Sequence, residues 1–526
     1  MPACSPDWSN RCRPDSGGDA MSRALAWSAI IVFLISVGSK LLGFVRDMAI
    51  AYFFGAGVEN DAFNVAQIVP VSLLGTIAVS ITTIYITMLQ QTERTGGREA
   101  ALRFSNQLLL FFFCFALFAA IAGHLFAPFL VALFAPGLSA DGKTLAAEMA
   151  RIGFYGFFLH FYISVATGYV NNHGRFYAAT LKGVLMNVAT IGAMLLGGGQ
   201  LSIQGVMVSI FAGYLVHAIY LTVIMYRLGF RFQFEAALWR ELAPLKRFLA
   251  LLLPVALGVS VTQLQQVTDR ILASFLVEGS ISALSYAGRL TMFGGSLVAA
   301  SVVTVFFPSF SKWAQSNQQE KIVEVTRTYI GILQGLMIPL SLWIWLDRDL
   351  LVKVVLERGA FTPEDTQMTA DAVGYLAIGL LAFGIREMYV KIFHALQDTV
   401  TPVKNGVYTV TANVILSILL MGPLQIGGIA LGTSLSLTLM TLLLHRELKR
   451  RWHQLALTLP WTQMGKVLIC AALASTVMLS ANLLTPSSDM LTLVIHVAVY
   501  GIVYLIASAV ARLEWVRLVQ TWLKRS

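Results

Sequence analysis

Apolar residues fill the chain in runs long enough to cross the hydrocarbon core of a bilayer, each closed by a short polar break. The runs fall near 25–52, 62–89, 107–132, 146–170, 180–198, 203–226, 246–274, 282–308, 326–346, 369–394, 403–422, 427–445, 466–484 and 491–511, which predicts an all-α polytopic membrane protein of about 14 transmembrane helices. Lys and Arg test that reading, because cytoplasmic loops collect them. Alternate breaks and the two ends hold 26 cations and the opposite loops only four, Lys143, Arg348, Lys353 and Arg358. Both termini of this multi-pass protein are therefore expected inside.

A repeat divides the runs. Shifting the chain by 222 residues lays Asp47 on Asp269, Ala51 on Ala273, Phe53 on Phe275, Gly57 on Gly279 and Lys182 on Lys404. Six crossings return a chain to its starting side, so the halves are expected as two parallel six-helix lobes related by a pseudo-two-fold axis. The expected organisation is a disordered tail over 1–24, an N-lobe over 25–228, a C-lobe over 229–446, and a C-terminal helix pair with a cytoplasmic tail over 447–526. Segments near 229–245 and 447–464, with Trp239, Trp452 and Trp461, read as interfacial helices. The outer stretch Val355–Asp365 reads as a short amphipathic segment on the membrane surface.

Composition narrows the class. Of 526 residues 57% are hydrophobic and 12% charged, against about 25% charged in soluble domains. The net charge of +10 comes without a basic patch interleaved with aromatics, so nucleic acid is not an expected partner. Cys4, Cys12, Cys114 and Cys470 have neither metal-ligand nor disulfide spacing, the eight histidines do not cluster, and neither metal nor cofactor is expected. The apolar run from Leu25 is too long for a cleaved signal peptide. No nucleophile, metal cluster or acid pair marks an enzyme, so a transporter is expected. A membrane glycosyltransferase or polymerase is the competing class, with only Asp347, Asp349, Glu357, Glu364 and Asp365 as outer acids.

Charges within spans are the functional candidates, since a central charge costs about 2.5–3.5 kcal/mol to insert. They are Lys40, Arg46, Arg151, Arg270, Arg289, Arg386 and Lys391, with the acids Asp47 and Asp269. For Arg151, Arg386 and Lys391, snorkelling or a Glu387–Lys391 pair is the expected role. Lys40 and Asp47 are seven apart and share a helix face, and Arg46 is offset from it by about 100°. Charges at such depth are expected to face a wet cavity rather than lipid, which singles out Lys40, Arg46, Arg270 and Arg289. The packing alternative is a set of ion pairs, Arg46 with Asp269 or Arg270 with Asp47.

At Gly43-Phe-Val-Arg-Asp47, Phe54-Gly-Ala-Gly57, Asp61-Ala-Phe63, Ile271–Ser280, Tyr286-Ala-Gly-Arg-Leu290, Phe307-Pro-Ser-Phe-Ser-Lys312, Gly359-Ala-Phe-Thr362 and Asp398–Lys404 the chain resembles the MurJ/MviN family of lipid II flippases, in the multidrug/oligosaccharidyl-lipid/polysaccharide exporter superfamily. The resemblance spans roughly 25–450. It implies a monomeric inner-membrane flippase that carries an undecaprenyl-diphosphate-linked glycan outward by alternating access. Lipid II is the expected cargo, and an exopolysaccharide or O-antigen repeat unit the alternative. It implies cavity cations at Lys40, Arg46 and Arg289, so that the guanidinium forks of Arg46 and Arg289 are the expected diphosphate clamps with Lys40 and Arg270 assisting, Asp47, Asp61 and Asp269 the expected gating or structural acids, and the last two spans a lipid-tail groove. The chain departs from the family pattern at Pro70–Ile77, where a pair of arginines is expected, and at Gly288, where an acid is expected.

Overall fold

A computed structural model describes residues 18–233, 242–316, 318–451, 461–481 and 488–516. Residues 1–17, Trp239 and Trp452 lie outside the described residues. Within them the chain is almost wholly helical and contains no strand. The α-helices are α1 (Gly18–Phe54), α2 (Val58–Ala66), α3 (Leu74–Phe134), α4 (Ala140–Tyr155), α5 (Phe157–Asn172), α6 (Phe176–Thr180), α7 (Lys182–Gly197), α8 (Ile203–Arg227), α9 (Ala243–Ala273) and α10 (Ser280–Gln315). They continue with α11 (Gln319–Leu346), α12 (Arg348–Leu356), α13 (Pro363–Ala377), α14 (Leu380–Ala395), α15 (Val400–Leu424), α16 (Ile426–Arg451), α17 (Trp461–Ala481) and α18 (Asp489–Val510).

Among the described residues nine helices are long and apolar enough to cross a membrane, or up to 10 if α13 and α14, bent by 50°, form one span. One of the nine, Ser80–Phe134, runs for 55 residues and contains the expected run 107–132 and the final part, 80–89, of the run 62–89. Its only non-helical residue is Gly97, φ 73°. The expected runs 25–52, 246–274 and 282–308 are also helical, as α1, α9 and α10. Between α2 and α3, Pro70 has no N–H to give the helix ladder. The backbone widens there into a π-turn over Ile68–Leu73, with Ser72 N–H bonded to the Gln67 carbonyl at 3.0 Å. The expected interfacial helix over 447–464 begins instead as the last turn of α16, and 231–233 is non-helical.

The repeat appears in the local geometry. The fourth run of each half is broken at a glycine, Gly156 between α4 and α5 and Gly379 between α13 and α14. α5 and α14 end in the same motif: Gly174 (φ 76°) and Gln397 (φ 60°) take the left-handed turn, with Arg175 N–H on the Val170 carbonyl and Asp398 N–H on the Phe393 carbonyl. These pairs are 223 residues apart, one more than the shift that relates Gly57 to Gly279. The extra residue lies in the turn before α13, where Gly359-Ala-Phe-Thr362 replaces Gly137-Leu-Ser139.

By contact density the chain forms two compact units that do not follow sequence order. The first comprises residues up to Arg46, Ala78–Ala119 and Tyr155–Leu252. Its interior is aromatic: Phe112 stacks on Phe161 at 5.0 Å, Phe104 and Phe112 pack on Phe248, and the buried Tyr85 hydroxyl meets Ser105 at 2.7 Å. The second comprises Asp47–Ile77, Ala120–Phe154 and everything from Leu253. Its core is built on α10, α11, α13, α14 and α16. α17 and α18 pack on α11. Pro339 cannot donate to the Gly335 carbonyl four residues back, and the Tyr504 hydroxyl donates to that carbonyl at 2.6 Å, while Tyr500 donates to the Pro339 carbonyl at 2.9 Å. Asp347 takes bonds from Trp343 Nε1 (2.8 Å) and His496 Nδ1 (2.9 Å), and Lys353 pairs with Asp489 at 2.9 Å.

Candidate functional site

The apolar second unit holds an ion pair where insertion scales make charge expensive. Asp47, on α1, is nearly buried and lies 2.6 Å from the guanidinium of Arg289, whose side chain is 34% exposed, on α10. Arg270, near the end of α9, acts electrostatically on Arg289 and on its neighbour Asp269. Asp269 Oδ2 accepts the Thr433 hydroxyl proton at 2.9 Å, and Thr433 Oγ1 accepts from Asn413 Nδ2 at 3.2 Å. Two arginines and two acids thus converge through α1, α9 and α10. Asp47 meets Arg289 on α10, an arginine that the packing alternative did not name.

Arg46 and Lys40 belong to the first unit. Arg46 is half-buried, with Nη1 3.9 Å from Met186 Sδ on α7 and its charge felt by Tyr214 on α8. Lys40 is exposed, near Ser39, whose carbonyl accepts from Asn187 Nδ2 at 3.0 Å. Lys182, noted in sequence only as a repeat position, lies 5.0 Å above the Tyr214 ring.

Asp61 caps a helix. Its carboxylate accepts from Gly279 N (2.8 Å), Ser282 N (2.7 Å) and Ser282 Oγ (2.6 Å), placing negative charge on the N-terminus of α10. Asn60 adds bonds from Nδ2 to the Gly55 carbonyl (2.7 Å) and the Tyr286 hydroxyl (2.5 Å). Gly279 has φ +88°, and a Cβ there would sit 1.9 Å from the Ala56 carbonyl oxygen, so only glycine fits. Two further contacts join the same segments reciprocally. Ala360 N–H bonds the Tyr52 carbonyl at the end of α1 (2.8 Å), and Gly137 N–H bonds Ser274 Oγ just past α9 (3.1 Å).

In the stretch Val355–Asp365, Leu356 and Phe361 are buried, Arg358, Gly359 and Ala360 are exposed, and Thr362 and Asp365 form a capping box on α13. Glu387 pairs with the adjacent Arg386. Arg151 Nε reaches the His124 carbonyl at 3.3 Å, and His173 bonds back to the Tyr169 carbonyl. Among the described residues no group of three His, Cys, Asp or Glu could hold a metal ion. Sequence reasoning named Ser274 and Tyr286 only within longer motifs and passed over Asn60 and Ser282, which lie beside the quoted motifs at Phe54–Gly57, Asp61–Phe63 and Ile271–Ser280.

Outside the spans, burial pushes the Asp398 carboxyl up. The Thr401 N–H and hydroxyl, Arg451 and the Val400 N–H outweigh it and hold that carboxyl below its ordinary value. Hydrogen bonding to Asp489 holds the Lys353 ammonium above its ordinary value.

Residues 50–499 match the family profile described as lipid II flippase MurJ. Among curated relatives, proteins named probable lipid II flippase MurJ are 26% identical over 413 residues in Rickettsia prowazekii (78% of this chain, 81% of the relative) and 27% identical over 449 residues in Vibrio cholerae (81% and 83%). One from Rhizobium tropici is 27% identical over 496 residues (90% and 91%). Among solved structures, a lipid II flippase MurJ in an inward closed conformation superposes with TM-score 0.78 at 23% identity, covering 91% of this chain and 98% of the other. An inward-facing multidrug transporter of the MATE family gives 0.61 at 15% identity, covering 81% and 98%.

Proposed function

The chain belongs to the lipid II flippase MurJ family, and from that premise we propose that it carries lipid II between the leaflets of the membrane, as a transporter and not an enzyme. The observation that carries the mechanism is the 2.6 Å Asp47–Arg289 pair. A diphosphate entering low dielectric needs donors to replace its water, and a guanidinium already held there by one carboxylate can exchange it for phosphate oxygens. Arg289 is the principal clamp and Asp47 its resting partner. Arg46 is a second clamp, with Lys40 and Arg270 adding charge along the path and Asp269 balancing Arg270.

Alternating access of two lobes, 25–228 and 229–446, is supported by the repeated helix ends and by the reciprocal turn contacts. In this reading the Asp61–Ser282, Ala360–Tyr52 and Gly137–Ser274 bonds form the closed outer gate, and both termini are cytoplasmic. The protein acts in the inner membrane as a monomer, and α17 and α18 guide the lipid tail. Purified protein in vesicles, given lipid II or an O-antigen lipid-linked unit in separate assays, tests the cargo. Faster translocation of lipid II is expected, and equal or reversed rates would overturn the assignment.

A further inference from the structure

The first unit carries a cleft of about 340 Å³ between α3 and α5, within the range of ligand pockets. Its floor is the stacked pair Phe112 and Phe161, and one wall is Phe113 edge-on to Phe158 at 5.3 Å. The lining is almost entirely apolar, and Phe232 closes one end. That end is built rather than incidental: Asn106 Nδ2 donates to the Arg231 carbonyl (2.8 Å) and Asn106 Oδ1 accepts from Gln233 N (3.0 Å), fixing the segment onto α3. The same end is basic. Arg231 precedes Phe232 and is exposed, and Arg103 lies with Asn106 and Leu110 on one face of α3, its side chain 71% exposed and loosely paired at 4.0 Å with the 89% exposed Glu99, a surface pair that a phosphate can displace. An apolar slot with two cations at one mouth complements an amphiphile with an anionic head.

We propose that this cleft seats an acyl chain of an anionic membrane phospholipid, its phosphate held at Arg103 and Arg231. The test places a benzoylphenylalanine photo-crosslinker at Phe113, and at the 92% exposed Leu196 as a control. The full chain is studied in vesicles of phosphatidylethanolamine with a minor fraction of phosphatidylglycerol, and adducts are identified by mass spectrometry. Phosphatidylglycerol should be enriched at position 113 over position 196. Arg103→Gln and Arg231→Gln should each reduce that enrichment by up to about fivefold, equivalent to about 1 kcal/mol per cation, without changing adducts at 196. The same headgroup ratio at both positions, or no adduct at 113, would overturn the proposal. With lipid II added to the vesicles, adducts at 113 to its polyprenyl chain in place of phospholipid would do so too.

Discussion

Asp47, Asp61 and Asp398 are three acids in one chain with three settings. Asp47 faces a guanidinium, Asp61 faces backbone N–H groups at a helix start, and Asp398 does both, capping α15 through Val400 N, Thr401 N and the Thr401 hydroxyl while meeting Arg451. Because the Asp398 carboxyl is held below its ordinary value, its contribution to stability is complete above the unfolded carboxylate range near about pH 4 and is lost as pH falls through the lower folded value. Thermal unfolding of the wild type should therefore lose an acid-limb increment below about pH 4 that Asp398→Asn lacks. Identical acid limbs would remove Asp398 from that role. Arg46, Asp47 and Arg289 were legible from sequence because charge inside an apolar run has few explanations. The Asp47–Arg289 partnership was not, since helix periodicity gives a face and says nothing of which helix lies opposite.

At the scale of elements, apolar runs were legible because the bilayer sets their length, and most became helices close to the expected limits. What periodicity hides are helix irregularities and backbone contacts. Gly156 and Gly379 split single runs into two helices each, Pro70 turns a run into a π-segment, and the break expected near 90–106 is a helix interrupted only at Gly97. The contact of Ala360 with Tyr52 was not legible because it is made through a backbone N–H, which leaves no side-chain pattern. The docking of α18 likewise depends on a carbonyl freed by Pro339. Tyr504→Phe, which keeps the ring and removes the only hydroxyl seen on the Gly335 carbonyl, should cost about 1–3 kcal/mol of stability, read from the thermal midpoint of the detergent-solubilised protein. An unchanged midpoint would show that the carbonyl is satisfied in another way.

For the whole molecule, the grouping of 47–77 and 120–154 with the second half was not legible in the sequence. The cap from Asp61, the two turn contacts, and Ala51 and Ala56 in the second core join residues far apart in sequence. If those contacts are a gate, they must open in each cycle. Cysteines at Asn64 and Ser282, whose side-chain polar atoms lie 3.5 Å apart, should stop lipid II translocation when oxidised and release it on reduction. Transport that continues with the disulfide formed would exclude gating there. The central claim is that Arg289 leaves Asp47 for the diphosphate, and lipid II translocation in vesicles, normalised to protein level, tests it most directly. Loss of a charge-assisted clamp costs about 1.5–3 kcal/mol, so Arg289→Ala should slow translocation by about tenfold or more at normal abundance, with partial recovery in Arg289→Lys. An ion pair that serves packing alone behaves differently, because removing both partners relieves the unpaired buried acid. The account predicts that Arg289→Ala combined with Asp47→Ala stays as slow as Arg289→Ala. Wild-type translocation in the single variant, or its restoration in the double, would contradict it.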